Sequence, residues 1–231
     1  MMILSKEEAI QLIKETNEKG GDYHQMSFED GLVLKGQWDM ERHLPYFDLP
    51  HDLTGKTVLD IGCNTGFFSF ECEKRGAQRV VALDVRIVPA FFAARKILDS
   101  KVEFVQKNIY ETEPGSLGRF DVVLCGSLLL HLSDIFRALR IMRSVTLELA
   151  IISTEILLDE DVQDRPYCKF VAKQYPGWKD ISVFWHPTVK CLSDILLREG
   201  FSRVEEVSRF RLQNTEGGFA RDNHVVLKAF T

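Results

Sequence analysis

The sequence has no run of about 18 apolar residues, the length a helix needs to span a bilayer, so no membrane segment is expected. Its 7 prolines and 15 glycines in 231 residues are too few for a fibrous or low-complexity chain. Cysteine is sparse as well. Cys63, Cys72, Cys125, Cys168 and Cys191 are odd in number and form no C-x-x-C pair, which argues against a disulfide framework or a thiolate zinc site. The start, MMILSKEEAIQLIKE, lacks the basic, apolar and small-residue succession of a secretion signal, so a reducing cytoplasm is the expected setting. Positive charge is also in deficit. Lys+Arg 29 against Asp+Glu 34 gives a formal charge of −5, which counts against binding nucleic acid by charge alone and leaves room only for a local basic groove. The histidines at 24, 43, 51, 131, 186 and 224 make no H-x-x-x-H pair, and Asp134 stands alone after the fourth core strand, so no metal is expected.

Hydrophobic residues at 45% and charged residues at 27% are ordinary globular usage, and the length suits one α/β domain with a small appendage. From about residue 55 onward strand and helix patterns alternate. Apolar runs at 58–61, 79–84, 102–106, 120–125 and 149–156 read as strands, separated by helical spacing at 67–75, 89–98 and 134–142. Strands apolar on both faces and alternating with helices imply a parallel sheet covered on both sides. A further helix at 189–199 stops at Gly200, and 204–210 with 224–230 read as two strands around a Gly217-Gly218 loop. The expected fold is therefore α/β: a Rossmann-like seven-stranded sheet, five parallel strands plus a terminal antiparallel hairpin, with helices on both faces. Residues 157–187 break the rhythm with Pro166, Pro176-Gly177 and Pro187, and read as an insertion over the active face. At the other end 6–19 is an amphipathic helix followed by a loop to Pro45. Residues 1–50 are thus expected to form an N-terminal helix and lid segment, and 51–231 the main domain, with 157–187 covering the substrate.

The most informative stretch is Val58-Leu59-Asp60-Ile61-Gly62-Cys63-Asn64-Thr65-Gly66-Phe67, a strand running through a glycine loop into a helix. That is the layout of a nucleotide-type site at the carboxyl ends of parallel strands. A dinucleotide fingerprint would need glycine at 64 and 67, where Asn64 and Phe67 stand, and a P-loop Gly-Lys-Ser/Thr is absent. Asp60 before the loop suits a cationic ligand without phosphate. Asp84, at the end of the next strand, can accept hydrogen bonds from two ribose hydroxyls. Asn108-Ile109 can bracket an adenine with one amide and one apolar contact.

These residues together resemble the class I S-adenosylmethionine-dependent methyltransferases. The resemblance rests on Asp60-x-Gly62-x-x-x-Gly66, Asp84, Asn108-Ile109 and Phe120-Asp121-Val122-Val123 with His131-Leu132. It implies S-adenosylmethionine as cofactor, with Gly62, Cys63, Asn64 and Gly66 wrapping the methionine part. Asp84 and Val85 would hold the ribose, Asn108 and Ile109 the adenine, and Cys125 and Gly126 would line the sulfonium side. A narrower resemblance covers Trp38-Asp39, Arg42-His43-Leu44-Pro45, 53–60 and the tail from Pro187-Thr188 to Gly200-Phe201. It is to the tRNA wobble-uridine carboxymethyltransferases and their methyltransferase relatives, and it makes Trp38 and Arg42 candidates for a lid over the cofactor. That family's Tyr-His-Arg-Arg after the fourth strand reads Leu130-His131-Leu132-Ser133 here, without the cations a carboxylated cofactor wants.

Methyl transfer from a sulfonium needs in-line attack, and much of the catalysis comes from holding the reactants in line. A base is needed only where the nucleophile carries a proton that must leave. His131 and Glu155, after the fourth strand and near the end of the fifth, are the catalytic candidates. Tyr167, Tyr175, Trp185 and His186 are candidates for a substrate wall. Arg137, Arg140 and Arg143 share one side of a helix and read as a basic solvated face. The expected activity is methyl transfer to a small-molecule acceptor. The alternatives are a tRNA-modifying methyl- or carboxymethyltransferase, for which the insertion and the Arg137 helix should form one positive surface, and a non-catalytic cofactor-binding partner subunit.

Overall fold

The computed structural model describes residues 4–20, 23–112, 117–174 and 182–231. Helix α1 (Lys6–Lys19) starts from a capping box in which Ser5 accepts from the Glu8 backbone and the Glu8 carboxylate accepts from the Ser5 N–H, closing two orphan donors at once. Its buried face, Ala9, Ile13 and Thr16, follows helical spacing. Next come β1 (His24–Ser27), β2 (Val33–Leu34) and β3 (Trp38–Asp39), a small sheet in which β1 is antiparallel to β2 and parallel to β3. Helix α2 (Met40–Phe47) follows. The loop expected before Pro45 is therefore a folded subunit of the structure, missed because its strands are too short to leave a pattern.

The main domain runs β4 (Thr57–Ile61), α3 (Phe67–Lys74), β5 (Arg79–Asp84), α4 (Pro89–Ile97), β6 (Glu103–Gln106), β7 (Phe120–Gly126), α5 (Ile135–Val145) and β8 (Thr146–Ile156). Then β9 (Cys168–Gln174) and β10 (Ser182–Pro187) pair as a separate antiparallel hairpin, so the insertion at 157–187 carries regular structure of its own. Helix α6 (Val189–Arg198), β11 (Arg203–Gln213) and β12 (Phe219–Phe230) complete the chain.

The seven-stranded sheet has the order β11-β12-β8-β7-β4-β5-β6. Strands β4 to β8 pair in parallel, and β12 enters antiparallel to both β8 and β11. The expected five parallel strands plus hairpin are all present, and only β12 runs against the rest. The sheet is buried on both faces by the period-2 alternation of its strands. Val58, Val122, Leu124 and Ile151 pack in one cluster with α3, α4 and residues of α1 and α2. Leu59, Ile61, Val123 and Ile152 pack in the other with α5 and α6. The order reverses between β4 and β7, and the loops after these strands meet at the carboxyl edge, where open α/β sheets bind ligands.

Candidate active site

The loop after β4 is fastened to the end of β5. The N–H groups of Gly62 and Cys63 donate to the Leu83 carbonyl at 2.7 and 3.1 Å. Asn64 donates its N–H to Asp84 Oδ2 at 2.9 Å, and Arg86 donates to Asp84 Oδ1 at 2.9 Å. Gly66 has φ +86°, and a Cβ there would lie 2.6 Å from Phe91 Cδ2 and 2.7 Å from Phe70 Cε2, so only glycine fits. Asn64 takes φ 50°, the left-handed conformation that asparagine tolerates. Asp60 is buried and accepts from Ser69 Oγ at 2.6 Å, tying α3 back to β4. Burial, with the nearby Asp84 adding to it, raises the Asp60 carboxyl to about 7 against the opposing Ser69 bond.

Asn108 uses its side-chain oxygen to cap the Tyr110 N–H at 3.0 Å, which leaves the NH₂ as its donor toward a ligand. Ile109 is buried beside it and Val85 is exposed. Cys63 and Cys125 are buried, and burial pushes the Cys125 thiol up to about 12 and Cys63 higher still, so both act as apolar wall. Gly126 faces the rings of Phe68 and Phe47, which a Cβ would meet at 3.6 and 3.7 Å.

The N-terminal segment lies against the start of α3. His24 meets Phe67 and Phe68 edge-on, with ring centroids 6.3 and 6.2 Å apart, and these are the first residues after Gly66. Trp38 packs edge-on to Tyr23 at 6.2 Å. Arg42 is bonded to Asp39 at 2.8 Å and to Gln213 Oε1 at 3.4 Å, with its side chain 64% exposed. Its recorded partners thus tie α2 to β3 and β11, whereas His24, beside Trp38, meets the residues that follow the glycine loop. Three polar atoms here are buried without a hydrogen-bond partner among the described residues: His24 Nδ1, Trp38 Nε1 and Thr65 Oγ1. Such orphans are rare in native proteins, and these three cluster at the glycine loop and the segment packed on α3. Burial holds His24 neutral by pushing it down to about 3.

On the far side of β7 the structure gathers four titratable residues. His186 Nε2 lies 3.0 Å from Glu155 Oε2. His224, on β12, is the register partner of Glu155 on β8, and His131 in the turn after β7 acts on both electrostatically. Burial would raise the Glu155 carboxyl, but the His186 bond and the three histidines outweigh it and hold it below the usual range. Burial pushes His224 down to about 4, with Glu155 opposing and His43, His186 and His131 assisting. Among the described residues, Ser153 Oγ and His224 Nδ1 are both buried without a hydrogen-bond partner. His131, Glu155 and His186 were all legible as candidates. His224 was not, since its place depends on strand register.

Trp185 donates its indole N–H to the Ser133 carbonyl at 3.1 Å and packs on Phe170, fixing the hairpin to the turn after β7. Tyr167 is 48% exposed at the hairpin's entry, and Tyr175 falls outside the described residues. The three arginines of α5 each have a partner: Arg137 donates to the Tyr110 carbonyl, Arg140 pairs with Glu199 through two bonds, and Arg143 donates to the Gly200 carbonyl. Among the described residues no three His, Cys, Asp or Glu side chains form a metal-binding group, and no helix is long and apolar enough to cross a membrane.

Residues 58–147 match the family described as a methyltransferase domain. The tRNA U34 carboxymethyltransferase of Campylobacter hominis is 30% identical over 158 residues, covering 67% of this chain and 53% of that one. Its counterpart in Mannheimia succiniciproducens is 27% identical over 188 residues, covering 80% of this chain and 56% of that one. The chain thus spans about half the length of these curated relatives. Among solved structures, the N-terminal domain of EvdMO1, crystallised in the presence of SAH and D-fucose, superposes with TM-score 0.76 at 17% identity over 99% of this chain and 98% of that one. The 1,6-didemethyltoxoflavin-N1-methyltransferase of Burkholderia thailandensis, with 1,6-didemethyltoxoflavin and S-adenosylhomocysteine bound, superposes with TM-score 0.58 at 18% identity, covering 83% of this chain and 74% of that one.

Proposed function

We propose that this chain, whose residues 58–147 are a methyltransferase domain, transfers a methyl group from S-adenosylmethionine to a small-molecule acceptor. The observation that carries the reading is the glycine loop clamped to Asp84, together with the buried polar atoms of His24, Trp38 and Thr65 that have no hydrogen-bond partner among the described residues. S-adenosylmethionine, when bound, supplies a methyl group on a sulfonium, an electrophile that needs alignment more than activation. In this reading Gly62, Cys63, Asn64 and Gly66 wrap the methionine part, while Asp84 accepts from the ribose beside Val85. The Asn108 amide and Ile109 bracket the adenine, and Cys125 and Gly126 line the reacting side. His24, Trp38 and Arg42, within a lid segment at residues 1–50, cover the cofactor. The insertion at 157–187 covers the acceptor, with Tyr167, Tyr175, Trp185 and His186 as its wall and His131 and Glu155 as the candidate proton-handling groups. No metal enters this scheme. Five free cysteines suit a cytoplasmic setting.

Support for a small acceptor comes from the arginine helix. Its cations are engaged within the chain, which leaves less of a continuous positive face for a polyanion. The relatives named as tRNA U34 carboxymethyltransferases favour a second reading, tRNA modification. Leu130, Leu132 and Ser133, flanking His131, give a carboxylated cofactor no cation, so methyl transfer is preferred within that reading too.

The test is methyl-labelled S-adenosylmethionine incubated with a host extract split into small metabolites, RNA and protein. Label in the small-metabolite pool is the expected result. Nuclease-sensitive label in RNA would reverse the ranking, and cofactor binding without label in any pool would leave only the binding-subunit alternative.

A further inference from the structure

Four protonatable side chains at the carboxyl edge have no assigned role in aligning a methyl donor. Gly126, at the end of β7, pairs with Ser153 on β8, and Glu155 lies two residues farther on the same face. His224 opposes Glu155 across the β8–β12 ladder, so it shares that face too. The β10 strand brings His186 over them, its Nε2 3.0 Å from Glu155 Oε2, with side-chain exposures of 14% and 8%.

We infer that the acceptor is an uncharged, hydroxyl-bearing molecule and that His186, oriented by Glu155, takes the proton from its reacting hydroxyl. This rests on the methyltransferase reading above. A carboxylate next to Nε2 fixes the neutral ring as the Nε2–H tautomer, leaving the unshared pair on Nδ1. The same carboxylate stabilises the imidazolium once a proton arrives, which is the role of the acidic partner in hydrolase triads.

The chemistry of the nucleophile selects the class. An amine that is neutral at the site attacks with its free pair and sheds its proton afterwards, an alkylammonium ion is a charged group of the kind the neutral Ser153 and His224 do not suit, a thiol ionises near neutral pH, and a carboxylate has no proton to lose. An alcohol keeps its proton far above neutral pH and is a poor nucleophile until a base removes it in the transition state. In the step, the acceptor oxygen forms a bond to the methyl carbon as the carbon–sulfur bond breaks and its electron pair passes to sulfur. The hydroxyl proton moves to His186 Nδ1 and leaves to water after the product does. The positive charge of the sulfonium reappears as that proton, so charge and electrons balance.

Two further observations point to a ligand here. His224 is 1% exposed and Ser153 0%, and His224 Nδ1 and Ser153 Oγ have no hydrogen-bond partner among the described residues. Both are neutral groups that suit further hydroxyls better than a phosphate or carboxylate. His43, packed with His224 on either side of Phe210, is already satisfied: Nδ1 donates to the Asp39 carbonyl at 2.6 Å and Nε2 accepts from the Gln213 N–H at 2.9 Å. Glu155 is the hydrogen-bonded partner of His186, while the histidines at 43 and 131 act, with Glu155 and His186, on His224 beside it.

Two measurements test this. In the cofactor-free protein, nitrogen-15 spectra of the neutral imidazole rings should find His186 as the Nε2–H tautomer, and Glu155→Gln should weaken that preference. The opposite tautomer, or a preference unmoved by Glu155→Gln, overturns the dyad. With methyl-carbon-13 S-adenosylmethionine and a small-metabolite extract, the transferred methyl should resonate as an oxygen-bound carbon. His186→Ala and His186→Asn should then cut turnover by roughly 100-fold or more, the usual scale for a general base, while calorimetry finds cofactor affinity unchanged. A nitrogen-, sulfur- or carbon-bound methyl, or undiminished turnover in both variants, overturns this inference and leaves methyl transfer standing. Cofactor binding without label in any product overturns methyl transfer itself.

Discussion

Asp84→Ala removes in one substitution the carboxylate that fastens the glycine loop and the group assigned to the ribose. The two tasks carry separate magnitudes. In the cofactor-free protein Asp84 accepts N–H bonds from Asn64 and Arg86, both at 2.9 Å, and the residue is 6% exposed. Bonds to a charged acceptor contribute about 1.5–3 kcal/mol each. Asn64 is half-buried and Arg86 exposed, so water recovers part of that, and an expected stability loss of about 2–4 kcal/mol follows. The ribose hydroxyls would use the remaining lone pairs, and losing them should cost a further ~1.5–3 kcal/mol of binding, or about 10- to 150-fold in Kd. Asp84→Asn keeps one oxygen acceptor and turns an NH₂ toward one of the two backbone donors, so it should fall between. Urea denaturation reads the first effect and calorimetry with S-adenosylmethionine the second, on the same samples. Stability within about 0.5 kcal/mol of wild type would refute the clamp, since that is the scatter of inert surface changes. Lost stability with unchanged affinity would refute the ribose assignment and leave the clamp intact.

Gly66→Ala should destabilise by about 2–5 kcal/mol, combining a left-handed backbone at φ +86° with a Cβ 2.6 Å from Phe91, and a loss below ~1 kcal/mol in urea would contradict the packing. Burial pushes His24 down to about 3 from its ordinary 6.5, so between those values the unfolded chain takes up the proton first and wild-type stability should fall as pH falls. His24→Phe removes that term: its stability relative to wild type should be greater at pH 5 than at pH 7 by about 2 kcal/mol, and a pH-independent difference would place His24 in contact with water. Trp185→Phe deletes the indole bond to the Ser133 carbonyl and should cost about 0.5–1.5 kcal/mol, with faster amide exchange in β10; unchanged exchange would mean that packing on Phe170 alone holds the hairpin.

How far the sequence could be read depended on whether a feature was local. Strands β4, β5, β7 and β8 were legible because a strand buried on both faces is a continuous apolar run. The glycine loop was legible because Gly62, Asn64 and Gly66 adopt positive φ through residue type and spacing alone. Strands β1 to β3 were not, since two to four residues give no period, and Trp38 finds its isolated bridge partner at Asn214, far along the chain. The hairpin of β9 and β10 was legible only as an insertion that breaks the rhythm, because its prolines signal turns and its pairing stands apart from the main sheet. Arg42 matched a lid motif by sequence, yet its ion pair with Asp39 and its bond to Gln213 give it a structural task as well. His224 illustrates the same limit at the site, because one step of register between β8 and β12 would have put it on the opposite face from Glu155.

The choice between a small acceptor and a polyanion turns on what the arginines of α5 would have to give up. Arg140 holds Glu199 through bonds of 2.9 and 3.1 Å, and although Arg140 is 69% exposed, Glu199 is only 8% exposed. A phosphate that captured Arg140 would have to displace the Glu199 carboxylate already bonded to it, giving up one ion pair for each one gained. Arg137 lies over the Tyr110 ring and Arg143 over the Phe201 ring, so each would forfeit ring contact along with its carbonyl bond. These competing contacts support the reading in which α5 is not the phosphate-binding surface, despite its spacing of cations. If RNA is nonetheless methylated, the salt dependence of its binding should be unchanged by replacing all three arginines, and a reduced slope would locate the polyanion on α5 and overturn this argument.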